Sequence, residues 1–215
     1  MRFAPQPPDG PSLASRAEQR STARLVAART DEAELLMAAA TDAMVRLGFG
    51  RRATVSDIVK AAGLSNQAFY RHFASKDDLI AALVDSGARR LAGYLAHRMA
   101  AVVEPHEQIR VWIQGVLSQA ADPAVAAPTK AVAWNRGAID VGPESDARRA
   151  EPMIWALLEA PLAAAGVADP EGDAYLVGRL VFAVLHDVLW AEPRPALSEL
   201  DFIADFVLAR VQLAR

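Results

Sequence analysis

The chain has 215 residues, a net charge of −3 and no cysteine, a length that suits one large domain or two small ones of about 100–200 residues each. The missing cysteines exclude a disulfide framework, a thiolate-held zinc site, an iron–sulfur cluster and a thiol nucleophile. The charge is uneven, with 13 Lys/Arg against 10 Asp/Glu in residues 1–93 and 10 against 16 in residues 94–215, an asymmetry that points to a nucleic-acid-facing N-terminal part. The apolar-rich run Tyr175–Trp190 is too short to span a bilayer and carries Arg179 and Asp187. Met1–Pro11 is proline-rich, with no charged segment leading into an apolar one. The expectation is a cytoplasmic protein with no membrane part.

Met1–Pro11 holds four prolines and predicts a disordered leader. From Leu13 to Arg29 the composition turns helical, with Arg16, Arg20 and Arg24 spaced to share one face. That face is either a basic arm lying on phosphates, or a solvated helix face or flexible basic tail. A first core helix is predicted over Asp31–Gly48. Thr30 or Asp31 caps it, Glu34 stands at capping-box distance, Leu36, Ala40, Ala43 and Leu47 form the stripe, and Gly48 stops it. Thr54 caps a short helix whose apolar side is Val55, Ile58, Val59 and Ala62. Gly63 makes the turn, and Ser65 caps a second short helix that holds Phe69 inward and ends near Phe73. Ser75 caps a third, with Asp77 and Asp78 in the first turn, where the helix dipole favours acids.

Further helices are predicted over Asp77–Val103, His106–Ala121, Ala124–Ile139, Asp146–Ala165, Glu171–Trp190 and Ser198–Leu213. Pro105, Pro123, Gly142-Pro143, Gly166, Pro170, Pro193 and Pro195 mark the junctions, and Asp85/Arg89 and Glu144/Arg148 are supporting i, i+4 pairs. No repeat and no strand alternation is visible. The fold class is all-α, with about nine helices. The expected division is a leader and arm over 1–29, a DNA-binding domain over 30–80, and a ligand-binding and dimerisation domain over 81–215.

Thr54–Phe73 has the build of a helix-turn-helix. Such a unit needs two short helices at a steep angle, a residue tolerant of positive φ at the turn, and apolar anchors that keep the outer face of the second helix polar. Gly63 is the turn and Ile58, Val59, Leu64 and Phe69 are the anchors, leaving Asn66, Gln67, Tyr70 and Arg71 outward. Those are the side-chain types that read base edges and hold phosphates. The run Thr54-Val55-x-x-Ile58-Val59-x-x-Ala62-Gly63-Leu64-Ser65-x-x-x-Phe69-Tyr70-x-His72-Phe73-x-Ser75-Lys76-x-x-Leu79 resembles the TetR family of transcriptional regulators, over about residues 31–90. The resemblance implies that Tyr70, His72 and Lys76 contact phosphates. It implies that Thr54 caps and also touches the backbone, and that Asn66, Gln67 and Ala68 stand where bases are read. Ala68 replaces the hydroxyl residue common there and offers only a methyl, suited to a thymine methyl. Ser65 caps this helix and Arg71 lies on its outer side, while Arg51 and Arg52 precede Thr54, where a DNA backbone passes.

The resemblance also implies a ligand pocket in the C-terminal part and a homodimer built on the last two helices. All four tryptophans lie there, and Trp112, Trp134, Met153, Trp155, Phe182 and His186 are the pocket candidates, each also at home in a plain core. Asn135, Arg136 and His186 are the polar groups nearest them in sequence, and Arg136 or Arg179 would pair with an acidic ligand. With few charges in the presumed wall, the expected effector is mostly apolar. Glu171–Trp190 is apolar on nearly every face, and Ser198–Leu213 carries Leu200, Ile203, Val207 and Val211 on one stripe and Phe202, Phe206 and Leu213 on the next. Two such wide-faced helices predict an isologous four-helix packing.

Enzyme motifs are missing: the four histidines have no ligand-like spacing, and there is no G-x-S-x-G, P-loop or dinucleotide glycine pattern. No metal site and no cofactor is expected. The expected partners are double-stranded DNA at a palindromic operator, a second copy of the chain and a small-molecule effector. The sequence thus predicts a ligand-responsive repressor. The alternatives are a DNA-binding regulator with no small-molecule ligand, governed by a protein partner or by abundance, a helical binding protein that does not touch DNA, and an α-helical enzyme.

Overall fold

No proline or glycine interrupts residues 13–47, and the first helix, α1, runs unbroken over Leu13–Leu47. The separate start expected at Thr30 or Asp31 does not occur. Both residues keep their backbone N–H, so both lie inside a continuous i→i−4 ladder and neither caps it. The computed structural model describes the backbone of residues 13–136, 151–192 and 197–213, and the side chains of 29–136, 151–192 and 201–211. The predicted leader, the side chains of Arg16, Arg20 and Arg24, the Gly142-Pro143 junction, the Glu144/Arg148 pair, Pro193, Pro195, and the side chains of Leu200 and Leu213 lie outside the described residues.

Helix α1 stops at Gly48, whose φ of 55° places it in the left-handed region. Helices α2 (Val55–Ala62), α3 (Asn66–His72) and α4 (Lys76–Ala100) follow. They pack one apolar cluster in which Leu36, Ala40 and Met44 of α1 meet Ile58 and Val59, Phe69 and Phe73, and Leu79 and Ile80. Helix α4 then carries Leu95 and Met99 into a second, larger cluster. Its other walls are α5 (Pro105–Ala121), α7 (Pro152–Trp155), α8 (Glu159–Ala164), α9 (Pro170–Trp190) and α10 (Leu197–Leu213). Helix α6 (Pro123–Arg136) lies between the two and places Ala131 in the first cluster. Among the described residues there is no strand, and the fold is all-α.

The single helix expected over Asp146–Ala165 is broken within its described part. Helices α7 and α8 are joined by a 3₁₀ turn, Ala156–Leu158. Two causes act together. Pro161 has no N–H for the carbonyl of Leu157. The Ile154 carbonyl is taken from outside, by the Trp112 indole N–H at 2.9 Å. Helix α10 is tied to α5 by Gln114 Nε2 donating to Asp201 Oδ1 at 2.8 Å and by the Arg110–Asp205 ion pair at 2.8 Å.

Candidate nucleic-acid interface

The turn between α2 and α3 is held by local chemistry. Gly63 adopts φ 67°, a conformation that costs an L side chain energy and glycine little. Leu64 N–H donates to the Val59 carbonyl at 2.9 Å and Gly63 N–H to that of Lys60 at 3.4 Å, the pair of bonds that satisfies a helix end at a left-handed residue. Helix α3 starts at once, with Ser65 Oγ accepting from Ala68 N–H at 3.1 Å. With about 100° between successive residues, Asn66, Gln67, Tyr70 and Arg71 share one side of α3, and all four are exposed. Ala68 and Phe69 fall on the other side and are buried. The methyl of Ala68 therefore faces the core, which withdraws the expected contact with a thymine methyl.

His72 also differs from expectation. Its side chain is 9% exposed, and Nε2–H donates to Glu32 Oε2 at 2.9 Å. It is a packed histidine that ties the end of α3 to α1, and the phosphate role is not supported by its position. Arg71 stands 3.7 Å from the same carboxylate and remains half-exposed. Hydrogen bonding from His72, with the Arg71 charge beside it, holds the Glu32 carboxyl below its ordinary range.

The approach to α2 is equally well tied. Thr54 Oγ1 accepts from Asp57 N–H at 3.2 Å, while Asp57 Oδ2 accepts from Thr54 N–H at 2.9 Å and from its hydroxyl at 2.7 Å. Arg51 closes on the same carboxylate with two bonds, at 2.7 and 2.9 Å. These bonds hold Asp57 far below the usual carboxylate range, the Arg51 fork contributing most and the Thr54 backbone and hydroxyl next. Both arginines are exposed, and the Arg51 fork is paired with Asp57. Lys76, half-buried, opens α4 beside the Ser75 cap, whose Oγ accepts from Asp78 N–H at 3.1 Å. The face that reaches solvent is therefore Arg51, Arg52, Asn66, Gln67, Tyr70 and Arg71, with Arg51 paired to Asp57 and Arg71 beside Glu32, and with the capped starts of α2, α3 and α4 around it.

Residues 36–83 match the family model described as "Bacterial regulatory proteins, tetR family". An uncharacterized HTH-type transcriptional regulator of Mycobacterium tuberculosis (strain CDC 1551 / Oshkosh) is 35% identical over 156 residues, which is 72% of this chain and 73% of that protein. The chain belongs to the TetR family. It is a TetR-family transcriptional regulator, a DNA-binding class rather than an enzyme class. Solved structures agree in fold along most of the chain. The fatty acid degradation regulator FadR of Bacillus halodurans superposes with a TM-score of 0.65 at 18% identity, covering 81% of this chain and 97% of its own. A Rhodococcus transcriptional regulator gives 0.64 at 23%, covering 84% and 96%. FadR of Bacillus subtilis, in complex with stearoyl-CoA, gives 0.61 at 16%, covering 85% and 98%.

In this TetR-family chain the pocket candidates scatter. Trp112 is fully buried and its indole is spent on the Ile154 carbonyl, a structural task. Trp134 is exposed and meets Phe49 at the junction of the two clusters. Asn135, a polar neighbour of the aromatics in sequence, accepts the backbone N–H of Ala53. His186 and Arg179 are exposed on α9, and His186 Nδ1 is 3.7 Å from Asp187, too far for a hydrogen bond. Trp155 and Phe182 do come together, edge to face at 6.3 Å, with Tyr175 5.7 Å from Trp155. Gly178 makes room for them, since a Cβ there would stand 2.7 Å from that of Trp155. Met153 is exposed on the same short helix as Trp155. Among the described residues no helix is long and apolar enough to cross a membrane.

Sequence reasoning missed Glu32, Asp57 and Phe49. Glu32 looks like one more acid in a charged stretch. Asp57 stands three residues after Thr54, the spacing of a capping box, and that signal was available.

Proposed function

We propose that this regulator is a homodimeric repressor whose α3 helices enter successive major grooves of a palindromic operator, and that a small, mostly apolar effector in the C-terminal bundle releases it. The observation that carries the reading is the outer face of α3. Asn66, Gln67, Tyr70 and Arg71 are exposed together, on a helix anchored from behind by Phe69. Asn66 and Gln67 read base edges; Tyr70, Arg71, Arg52 and Lys76 hold the phosphate backbone, with Thr54 and Ser65 at the capped helix starts. Arg51 joins them only by sharing its fork with Asp57. The head spans about residues 30–80 and the effector and dimerisation part 81–215, with α4 joining them.

The dimer reading is supported by the exposed apolar residues Leu176 and Leu180 on α9 and Phe202 and Phe206 on α10. The effector reading is supported by the aromatic group Trp155, Tyr175 and Phe182, and by the acyl-CoA held by the Bacillus subtilis relative in fold. An effector of this kind acts only by binding the DNA-incompetent arrangement more tightly.

Fluorescence anisotropy with DNA from upstream of the gene tests the reading. Tight binding that weakens steeply with salt is expected, released by small, mostly apolar effectors. Salt-independent binding would sink the phosphate contacts. Tight binding indifferent to every apolar effector would favour a regulator without a small-molecule ligand.

A further inference from the structure

Asn135 is 1% exposed, one of two buried polar or charged side chains among the described residues. Asparagine is a poor helix former, because its amide competes for backbone groups. Here, in the last turn of α6, it uses both ends. Nδ2 donates to the Ala131 carbonyl one turn back at 2.9 Å. Oδ1 accepts the backbone N–H of Ala53 at 2.7 Å. Ala53 is itself buried and directly precedes Thr54, the cap of α2. One carboxamide of the C-terminal half thus holds the backbone from which the whole helix-turn-helix is hung.

A second contact lies beside the first. Phe49, in the turn after α1, sits against Trp134 of α6 at 5.7 Å and against Trp190, the last residue of α9, at 5.3 Å. The ammonium of Lys130 lies 5.5 Å from the centre of the Trp190 ring. The chain between α1 and α2 is therefore gripped at two points, Phe49 and Ala53, four positions apart in sequence, by side chains of the bundle. Phe49 and Trp134 are both partly open to water, so burial alone is a weak reason for this arrangement. A hydrogen bond to a backbone amide is directional, and it fixes where the head sits as well as that it sits there.

We infer that Asn135 and Phe49 are positioning residues for DNA reading: they lock the head onto the bundle, and so set the separation of the two heads of a dimer. This rests on the dimeric, operator-binding reading above. With the heads locked, the second head meets its half-site at a high effective concentration, and a loose head forfeits that advantage without losing its own contacts.

The test compares a full palindromic site, selected from random DNA with the wild-type protein, with a duplex carrying one half-site. The variants are Asn135→Leu and Phe49→Ala. Asn135→Leu and Phe49→Ala are expected to weaken full-site binding by at least about tenfold while half-site binding stays within about twofold. Equal losses on both DNAs, or none on either, would overturn the inference, and Phe49→Ala, which opens no buried cavity, keeps this decisive should Asn135→Leu fold poorly. Amide exchange at Ala53 tests the lock without DNA: faster exchange in Asn135→Leu is expected, and unchanged exchange overturns it. A wild-type protein with no full-site preference would overturn the dimeric reading instead, and the exchange result then decides the lock alone.

Discussion

Helices α3 and α10 both show aromatic side chains to water, in different company. On α3, Tyr70 stands among Asn66, Gln67 and Arg71. Its hydroxyl and its neighbours hydrogen-bond water readily, so the face is stable when exposed. On α10, Phe202 and Phe206 are 68% and 58% exposed, with rings 6.5 Å apart and stacked, and neither has a polar atom to offer. Each such ring forgoes about 1–2 kcal/mol of burial while it stays in water. A polar outer face suits a reversible partner that releases ions and water. A bare apolar face suits a lasting partner of its own kind.

The comparison breaks most sharply at Phe69. Phe69→Ala removes a fully buried ring that packs 5.7 Å from Phe73 and costs about 3–5 kcal/mol. Denaturation followed by circular dichroism should show the head melting first. DNA binding should vanish while the dimer proposed above persists in sedimentation. A single cooperative transition would mean that head and bundle are one folding unit.

Phe206→Asp attacks the other face. It should cost association about 2–4 kcal/mol and give monomers by light scattering at micromolar concentration, with the helical content unchanged. Retention of the dimer would move the interface elsewhere.

On α3 the effects are smaller and differ in kind. Gln67→Ala should lose about 1–3 kcal/mol of discrimination at one position of each half-site. Tyr70→Ala should weaken binding to all sequences alike. Binding-site selection with each variant separates the two outcomes.

Acid gives the mildest test. Asp57 and Glu32 both have carboxyl pKa values depressed in the folded head, so their stabilisation is complete above the ordinary values of 3.8 and 4.5. It is lost as pH falls below those values toward the folded ones, since the unfolded chain binds protons first. Melting of the head should therefore move down through that window, and Asp57→Asn should flatten the slope.

The helix-turn-helix was legible because its determinants are neighbours in sequence. The cap at Thr54, the positive φ of Gly63, the cap at Ser65 and the inward turn of Phe69 each follow from residues within a few positions. So did the bounds of α4, α5 and α9, which proline and small residues punctuate. Where the sequence reading failed, the deciding partner was far away. Helical spacing gives the face on which a residue lies and is silent about what meets that face. His72 looked free for phosphate until Glu32, 40 positions earlier, came within 2.9 Å. Trp112 looked like a pocket wall until the Ile154 carbonyl, 42 positions later, claimed its indole. Asn135 looked like no more than a polar neighbour of the aromatics until Ala53, 82 positions earlier, took its oxygen. The sequence by itself determined an all-α chain with a DNA-reading head, because turns, caps and apolar periods are local. Only the tertiary structure decided which polar groups remain free to act, because a buried hydrogen bond is won by whichever partner the packing brings within 3 Å.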